Sequence, residues 1–182
     1  MRSIIRQLCV AVVLAVPAAA MAGHRYTFLE GGYLNRDEGK IDDSGLRLAG
    51  SGAVTHSVAL IGEYADTGDF EQLSAGGIFH APITRDLDWT AGATLEFADT
   101  GLNDDTGWGL RGGLRWRFAQ AFELNPEIRY LDVFDDAGVS LRLAGLFSFT
   151  PDFAIQAALQ GGDDDRFEAG VRYSFAPAGR RR

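Results

Sequence analysis

The segment RFEAGVRYSF, residues 166–175, alternates between polar and apolar side chains over most of its length. One face carries the apolar residues and the opposite face the polar ones: Phe167, Val171, Tyr173 and Phe175 against Arg166, Glu168, Arg172 and Ser174. Successive side chains of a β-strand point to opposite faces, so this period of two indicates a strand rather than a helix. The segment therefore predicts a strand of about ten residues with one apolar face.

The same period recurs through the rest of the chain after residue 22. We count about ten such segments: roughly 25–34, 45–54, 56–65, 70–81, 87–98, 107–118, 121–132, 138–149, 152–160 and 166–175. A tilted strand that crosses a bilayer needs about 9–11 residues, which is the length of these segments. A smaller barrel of about eight strands is the structural alternative.

The connections between the segments alternate in kind. One set is acidic and rich in Gly and Asn, as in ADTGLNDDTG, and the other is tight, as in THS, TRD, AQA and TPD. We refer to the acidic-loop end and the tight-turn end accordingly. An even strand count with long loops at one end is typical of outer-membrane barrels. The sequence thus predicts an all-β, single up-and-down antiparallel transmembrane β-barrel. Pro126 falls inside one of the predicted strands, and because proline has no N–H to donate, it needs a bulge or a place near the start of that strand.

Aromatic residues concentrate near the two ends of the predicted strands. Those near the tight-turn end include Tyr26, Phe28, Trp116, Phe122 and Phe147, and those near the acidic-loop end include Tyr33, Trp108 and Phe167. Ala, Gly, Leu and Val occupy the strand centres. Two aromatic belts around an apolar band favour a barrel in lipid, whereas a soluble sandwich would place its large aromatics deep in the core.

The first 22 residues have the features of a secretory signal peptide. Arg2 and Arg6 precede a short apolar run, and Ala20-Met21-Ala22 gives a cleavage signal. An uncleaved anchor is the alternative, but the run is too short to span a membrane and contains Pro17. Removing residues 1–22 takes away the only cysteine and two positive charges, so the formal net charge changes from −8 to −10. Such a charge argues against nucleic-acid binding.

The end of the last segment, Tyr173-Ser174-Phe175, resembles the C-terminal insertion signal of bacterial outer-membrane barrels. By pattern over residues 23–175, the chain resembles the small OmpX/OmpW-like, porin-like outer-membrane barrel proteins of Gram-negative bacteria. The resemblance implies insertion by the barrel insertion machinery and contact with outer-membrane lipid and lipopolysaccharide. Residues 176–182 would then form a short periplasmic tail. The oligomeric state is not predicted.

The alternation also predicts which charged residues face the lumen. These are Arg47, Glu63, Glu96, Arg111, Arg115, Glu123, Glu127, Arg129, Arg142, Glu168 and Arg172, with Glu30 joining them. Unpaired charge would be costly there, so one interpretation is a network of ion pairs that fills a narrow barrel. The other is a polar pore in which Arg111, Arg115 and Arg129 face Glu96 and Glu127 at a constriction. We favour the filled or very narrow lumen, because about ten strands leave little free space.

Aspartates concentrate in the acidic loops and suggest a second candidate site. Divalent cations could bridge them to lipopolysaccharide phosphates, since hard cations prefer oxygen ligands. The residues concerned are Asp104, Asp105, Asp135, Asp136, Asp163, Asp164 and Asp165. A solvated, charged rim explains the same composition. We predict no cofactor and no resident metal site.

The functional prediction follows from these features. His24, His56 and His80 fall at or near the tight-turn end, away from the acidic loops, so no general base is placed for catalysis at the outer rim and we predict that the protein is not an enzyme. We predict an envelope protein with a structural or surface-interaction role. A narrow porin-like channel is the alternative, and a soluble periplasmic ligand-binding barrel is the third choice.

Overall fold

The chain forms ten β-strands connected by short turns and loops. The computed structural model describes residues 24–37, 42–68, 70–134 and 136–175, so the predicted signal peptide and C-terminal tail lie outside the described residues. The strands are β1 Phe28–Asp37, β2 Asp42–Ala53, β3 Val58–Thr67, β4 Phe70–Pro82, β5 Leu87–Asp99, β6 Asp104–Ala119, β7 Phe122–Val133, β8 Asp136–Ser148, β9 Phe153–Gly162 and β10 Asp165–Ser174. Over the described ranges, no helix has the length and apolar character needed to cross a membrane.

The strands close into a barrel in simple sequence order. Each strand pairs antiparallel with its neighbours along the chain, and β1 pairs with β10 to complete the ring. The predicted closed up-and-down antiparallel barrel is therefore confirmed, with ten strands rather than eight. Closure leaves no unpaired strand edge, which is the condition for a sheet to satisfy its backbone within a bilayer.

Glycine is required where β1 meets β10. Gly32 lies opposite Gly170 at the seam. A Cβ added to Gly32 would lie 2.3 Å from the carbonyl oxygen of Ala169, and one added to Gly170 would lie 2.5 Å from that of Gly31. Side chains at these positions would push the two strands apart, so the glycine pair allows the ring to close tightly.

The barrel is apolar outside and charged inside. Its outer band consists of exposed Leu, Ile and Val side chains, such as Leu141, Ile155 and Leu159. Its interior contains buried arginines and glutamates, such as Arg47 and Glu168. This reverses the distribution of a water-soluble protein and follows directly from the alternation in the sequence.

Two local features differ from the strands that the sequence pattern predicts. The first strand begins at Phe28, about three residues later than predicted, because residues 24–27 enter the mouth of the barrel instead. Pro126 is the fifth residue of β7, and the β6–β7 register has no partners for Asn125 and Pro126. An irregularity follows between Trp116 and Ala119. The missing N–H of Pro126 is therefore accommodated in an interrupted part of the ladder.

Candidate functional site

The N-terminal segment crosses the lumen at the tight-turn end. The His24 side chain is fully buried, and its Nδ1 lies 3.1 Å from Glu123 Oε2 on β7. Its Nε2 lies 3.3 Å from the carbonyl oxygen of Asp86, in the turn between β4 and β5. Because β1 is far from β5 and β7 around the ring, these contacts require the segment to span the opening.

Tyr26 fills the space beside His24. Its ring stacks on His80, with centroids 3.5 Å apart and planes at 9°. Its hydroxyl donates to Asp88 at 3.0 Å, and the Arg115 guanidinium lies 4.6 Å from the ring centroid. Burial raises the pKa of the Tyr26 phenol above its ordinary value; Arg115 opposes this rise and Asp88 adds to it. A neutral phenol thus sits as a donor inside the lumen.

Two aromatic residues are therefore not where the sequence placed them. Tyr26 and Phe28 were assigned to the outer belt at the tight-turn end. Tyr26 is buried in the lumen, and Phe28 lines the interior with the Arg172 guanidinium 4.2 Å from its ring centroid. By the period of two, both residues share a face with Glu30, which the sequence assigns to the lumen and which is buried there.

The carboxylate of Glu30 joins several strands near the seam. Arg47 on β2 donates to Glu30 at 2.9 Å, and Arg172 on β10 donates to it at 2.5 Å. Gln156 on β9 donates to the same group at 3.3 Å. Arg47 also donates to Glu63 on β3 at 2.9 Å. One buried carboxylate thus compensates the charges of two arginines, which come from the two strands that flank β1.

The ion pairs continue across the middle of the lumen. Arg142 donates to both oxygens of Glu168, at 3.2 and 2.6 Å. Arg129 donates to Glu127 at 2.5 Å, and its Nη1 lies 3.5 Å from Glu63. We call these groups, together with those around Glu30, the lumen network. Charge-assisted hydrogen bonds of this kind are the strong ones, and here they connect β1–β3 with β7–β10 across the lumen.

Glu96 is compensated differently from the other lumen carboxylates. It is 1% exposed and accepts hydrogen bonds from Gln72 at 3.0 Å, from Thr94 at 2.5 Å and from Ser74. Three neutral donors therefore hold this carboxylate, and no ion pair joins it to an arginine within the described ranges.

The predicted constriction consequently has different pairings. Arg129 pairs with Glu127, as the alternation suggested, but Arg115 donates to Glu123 at 2.7 and 2.9 Å. Within residues 24–37, 42–68, 70–134 and 136–175, Arg111 makes no hydrogen bond or ion pair. Spacing along single strands identifies which residues face inward but does not determine which of several neighbours each one binds.

The acidic-loop end is spanned by side chains. Asp164 accepts from Arg36 at 2.9 Å and pairs with Arg166 at 2.5 Å. Arg36 also lies over the ring of Phe70, 3.8 Å from its centroid, and Arg166 donates to Gln72 at 2.9 Å. Burial by itself would raise the pKa of the Asp164 carboxyl, but Arg166 and Arg36 outweigh it and hold that pKa below its ordinary range.

The candidate loop aspartates have varied surroundings. Asp163 accepts from the backbone N–H of Val139 at 2.7 Å, Asp165 from that of Gly162 at 3.0 Å, and Asp105 from that of Phe134. Asp104 is exposed. Asp135 lies outside the described residues, as does the side chain of Asp136. Within the described part of the chain, no group of three or more His, Cys, Asp or Glu side chains is arranged to hold a metal ion.

A cavity remains in the half of the lumen next to the tight turns. It measures about 110 Å³ and is bounded by Tyr26 at that end. Its wall carries more arginines than glutamates: Arg47, Arg111, Arg115, Arg129, Arg142 and Arg172 with Glu30, Glu63 and Glu127. The cavity is thus small, with apolar side chains such as Ile61, Ile78 and Leu114 between the charged groups of its wall.

The outer surface carries an aromatic belt at the tight-turn end. Tyr173 contacts Phe175 with centroids 4.9 Å apart, and it contacts Phe153 at 4.7 Å. Similar ring contacts continue around β4–β8, for example between Phe122 and Phe147 at 4.9 Å. The predicted insertion-signal residues are therefore part of this belt, and the Phe175 N–H also donates to the Thr27 carbonyl at 3.0 Å.

Several lumen residues were not among the predicted site residues. His24, Asp88 and Arg166 are buried and hydrogen-bonded, and Gln72 links Arg166 to Glu96. The alternation of the strands would have identified Asp88, Gln72 and Arg166, because each lies on the same face of its strand as the other inward-facing residues. His24 gave no such signal, because it precedes the first strand.

Comparison with known proteins adds information on the fold. No family model matches the sequence, and no curated protein matches it. Among solved structures, the KdgM porin is 12% identical with a TM-score of 0.56, and the match covers 81% of this chain and 99% of that chain. The NanC porin is 9% identical with a TM-score of 0.51, and the match covers 82% and 100%. At these identities the likeness shows a common porin-type barrel fold.

Proposed function

We propose that this protein is an integral barrel of the Gram-negative outer membrane, with a structural or surface-interaction role and a lumen closed to bulk solute. The observation that carries the proposal is that side chains cross the interior at both ends and in the middle. Residues His24 and Tyr26 cross one end, Arg36 and Asp164 span the other, and the lumen network occupies the space between. Both termini would face the periplasm, and the acidic loops would face outward.

The exterior supports a membrane location. A band of exposed aliphatic side chains lies between aromatic residues at the two strand ends, as in barrels that face lipid. A soluble periplasmic ligand-binding barrel, the third choice, would need a polar exterior, and the exposed apolar band argues against it. The likeness to porin-type barrels is consistent with the same location.

One pair of matched substitutions tests the location. Leu141, 62% exposed in β8, would face lipid, whereas Leu102, 94% exposed, lies between β5 and β6. We expect Leu141→Arg to lower the free energy of unfolding in lipid vesicles by about 2–4 kcal/mol and Leu102→Arg to change it little. Equal, small effects of the two substitutions would contradict a lipid-facing exterior.

Single-channel recording tests the closed lumen. The refolded protein is incorporated into a planar bilayer, and a heat-dependent gel shift verifies that the barrel is folded. We expect no resolved conductance steps from the folded protein. Discrete ion-selective steps would overturn the closed lumen and favour the second candidate, a narrow porin-like channel.

The second candidate has one specific observation in its favour. The cavity of about 110 Å³ shows that the lumen is not filled along its whole length. If the barrel conducts, substitution of Arg115 or Glu127, which line this cavity, should change its ion selectivity. In a closed barrel the same substitutions would affect stability alone.

The surface interaction would involve the acidic loops. We propose that exposed carboxylates such as Asp104 contact lipopolysaccharide through divalent cations, and that the Tyr173–Phe175 segment is recognised by the barrel insertion machinery. Asp164 is a poor candidate for the cation role, because Arg36 and Arg166 already engage it. Removing divalent cations should weaken lipopolysaccharide binding by the folded protein and leave its gel shift unchanged.

A further inference from the structure

Arg111 occupies an unusual place in the lumen. It lies in the middle of β6 and lines the cavity of about 110 Å³ that Tyr26 bounds at the tight-turn end. The other five arginines of the cavity wall each bind at least one glutamate. Within residues 24–37, 42–68, 70–134 and 136–175, Arg111 binds none.

The strand register explains why this arginine has no carboxylate. Its cross-strand partner on β7 is Arg129, a residue of like charge that is already engaged by Glu127 and Glu63. On the other side its partner is Gly92 of β5. A Cβ at Gly92 would lie 3.3 Å from Arg111 Cγ, so the glycine leaves room for the arginine stem. The backbone thus supplies a space for Arg111, and the nearby carboxylates of Glu127, Glu63 and Glu96 attract its guanidinium without forming a hydrogen bond or ion pair with it.

The guanidinium of Arg111 favours an anion in this space. A guanidinium carries five N–H donors and cannot lose its charge, so burial without an acceptor is costly. Five carboxylates, Glu30, Glu63, Glu123, Glu127 and Glu168, pair with the other five arginines of the wall, so among the described residues Arg111 is the wall arginine without a paired carboxylate. The cavity also has room for several water molecules or for one small anion with its water.

We propose that the cavity is a binding site for a small oxyanion of the phosphate or sulfate class, held by Arg111. Guanidinium groups bind such oxyanions through paired charge-assisted hydrogen bonds, which would satisfy the donors that the protein leaves free. The site goes beyond the proposed envelope role. It could exist in a closed barrel or in a conducting one, so its test is independent of that role.

Binding of radiolabelled inorganic sulfate provides the test. The full barrel is refolded in detergent with the anion present and verified by its heat-dependent gel shift, and bound sulfate is then measured by equilibrium dialysis. We expect saturable binding of about one sulfate to the unmodified protein, with competition by inorganic phosphate and little competition by chloride. Absence of saturable binding to the folded protein would overturn the proposal.

Variants at matched positions assign the site to Arg111. Arg111→Gln should weaken sulfate binding at least tenfold, and Arg111→Lys should retain part of it, because the charge remains. Arg117→Gln is the control, since Arg117 lies near the tight turn and pairs with Asp86 at 3.8 Å. It should bind sulfate like the unmodified protein. Unchanged binding by Arg111→Gln, or an equal loss in Arg117→Gln, would contradict the assignment.

Discussion

The two ends of the barrel are closed in different ways. At the tight-turn end, a segment of chain outside the strands crosses the opening, and its His24 and Tyr26 side chains are buried among residues of β4, β5 and β7. At the acidic-loop end, residues at or beside the strand ends meet each other, chiefly Arg36 and Asp164. The tight-turn end is thus closed by a segment that is not part of any strand, whereas the acidic-loop end is closed by residues of the strands and the loops that join them.

This difference has a mechanical consequence. The tight-turn closure depends on a segment that precedes β1, so it can be removed without taking any strand from the ring. The acidic-loop closure cannot be removed in this way, because Arg36 belongs to β1 and Arg166 to β10. The two ends should therefore respond differently to substitution, one through conductance and the other through stability.

The largest expected effect comes from opening the tight-turn end. Replacing both His24 and Tyr26 by Ala removes the side chains that fill the mouth, and we expect conductance steps where the unmodified barrel shows none. Arg25→Ala is the matched control, because the Arg25 side chain points to Asp152 at 2.5 Å and is about a third exposed. A silent but folded double variant would show that the lumen network alone blocks passage.

The second effect concerns the lumen network next to that end. Glu30→Gln leaves Arg47 and Arg172 with one fewer buried counter-charge, so we expect the free energy of unfolding to fall by about 3–5 kcal/mol. Urea unfolding in lipid vesicles measures the change.

An exposed carboxylate gives the control for Glu30. Asp152 pairs with Arg25, but its side chain is 41% exposed, and Asp152→Asn should cost no more than about 1 kcal/mol. A loss for Glu30→Gln as small as that for Asp152→Asn would show that water reaches the Glu30 region and screens it. The interior would then be wetter than its ion pairs suggest.

The barrel itself could be predicted from local pattern. Alternation along each segment, as in residues 166–175, is a property of single strands, and a strand with one apolar face needs no long-range information to be recognised. The same alternation assigns Arg47, Glu96 and Arg142 to the inner face, and in the structure these three side chains are buried there.

The contacts between strands could not be predicted in the same way. Which carboxylate an arginine binds depends on the stagger of the strands around the ring, and this is why Glu96 binds Gln72 and Thr94 instead of the predicted arginines. The contacts of Tyr26 could not be predicted for a related reason. Its parity with Glu30 indicates the inward face, but only the three-dimensional positions of His80 and Asp88 show which groups its ring and hydroxyl contact.

The smallest expected effect lies at the acidic-loop end. Asp164→Asn removes a partly buried counter-charge for Arg36 and Arg166 and should lower the free energy of unfolding by about 1–2 kcal/mol at pH 7. Because the pKa of Asp164 is lower in the folded barrel than in the unfolded chain, its contribution is complete above the ordinary value of 3.8 and disappears as the pH falls through the folded pKa.

The stability difference between the unmodified protein and Asp164→Asn should therefore be constant from pH 7 to about pH 5 and shrink below pH 4. The exposed Asp104 supplies the control, and Asp104→Asn should show little difference at any of these pH values. A difference for Asp164→Asn that persists unchanged down to pH 2 would mean that the charge of Asp164, and hence its pairing with Arg36 and Arg166, does not account for the effect. The ion pairs at the acidic-loop end would then make no net contribution to stability, and neutral hydrogen bonds would hold that end, as they hold Glu96 deeper in the lumen.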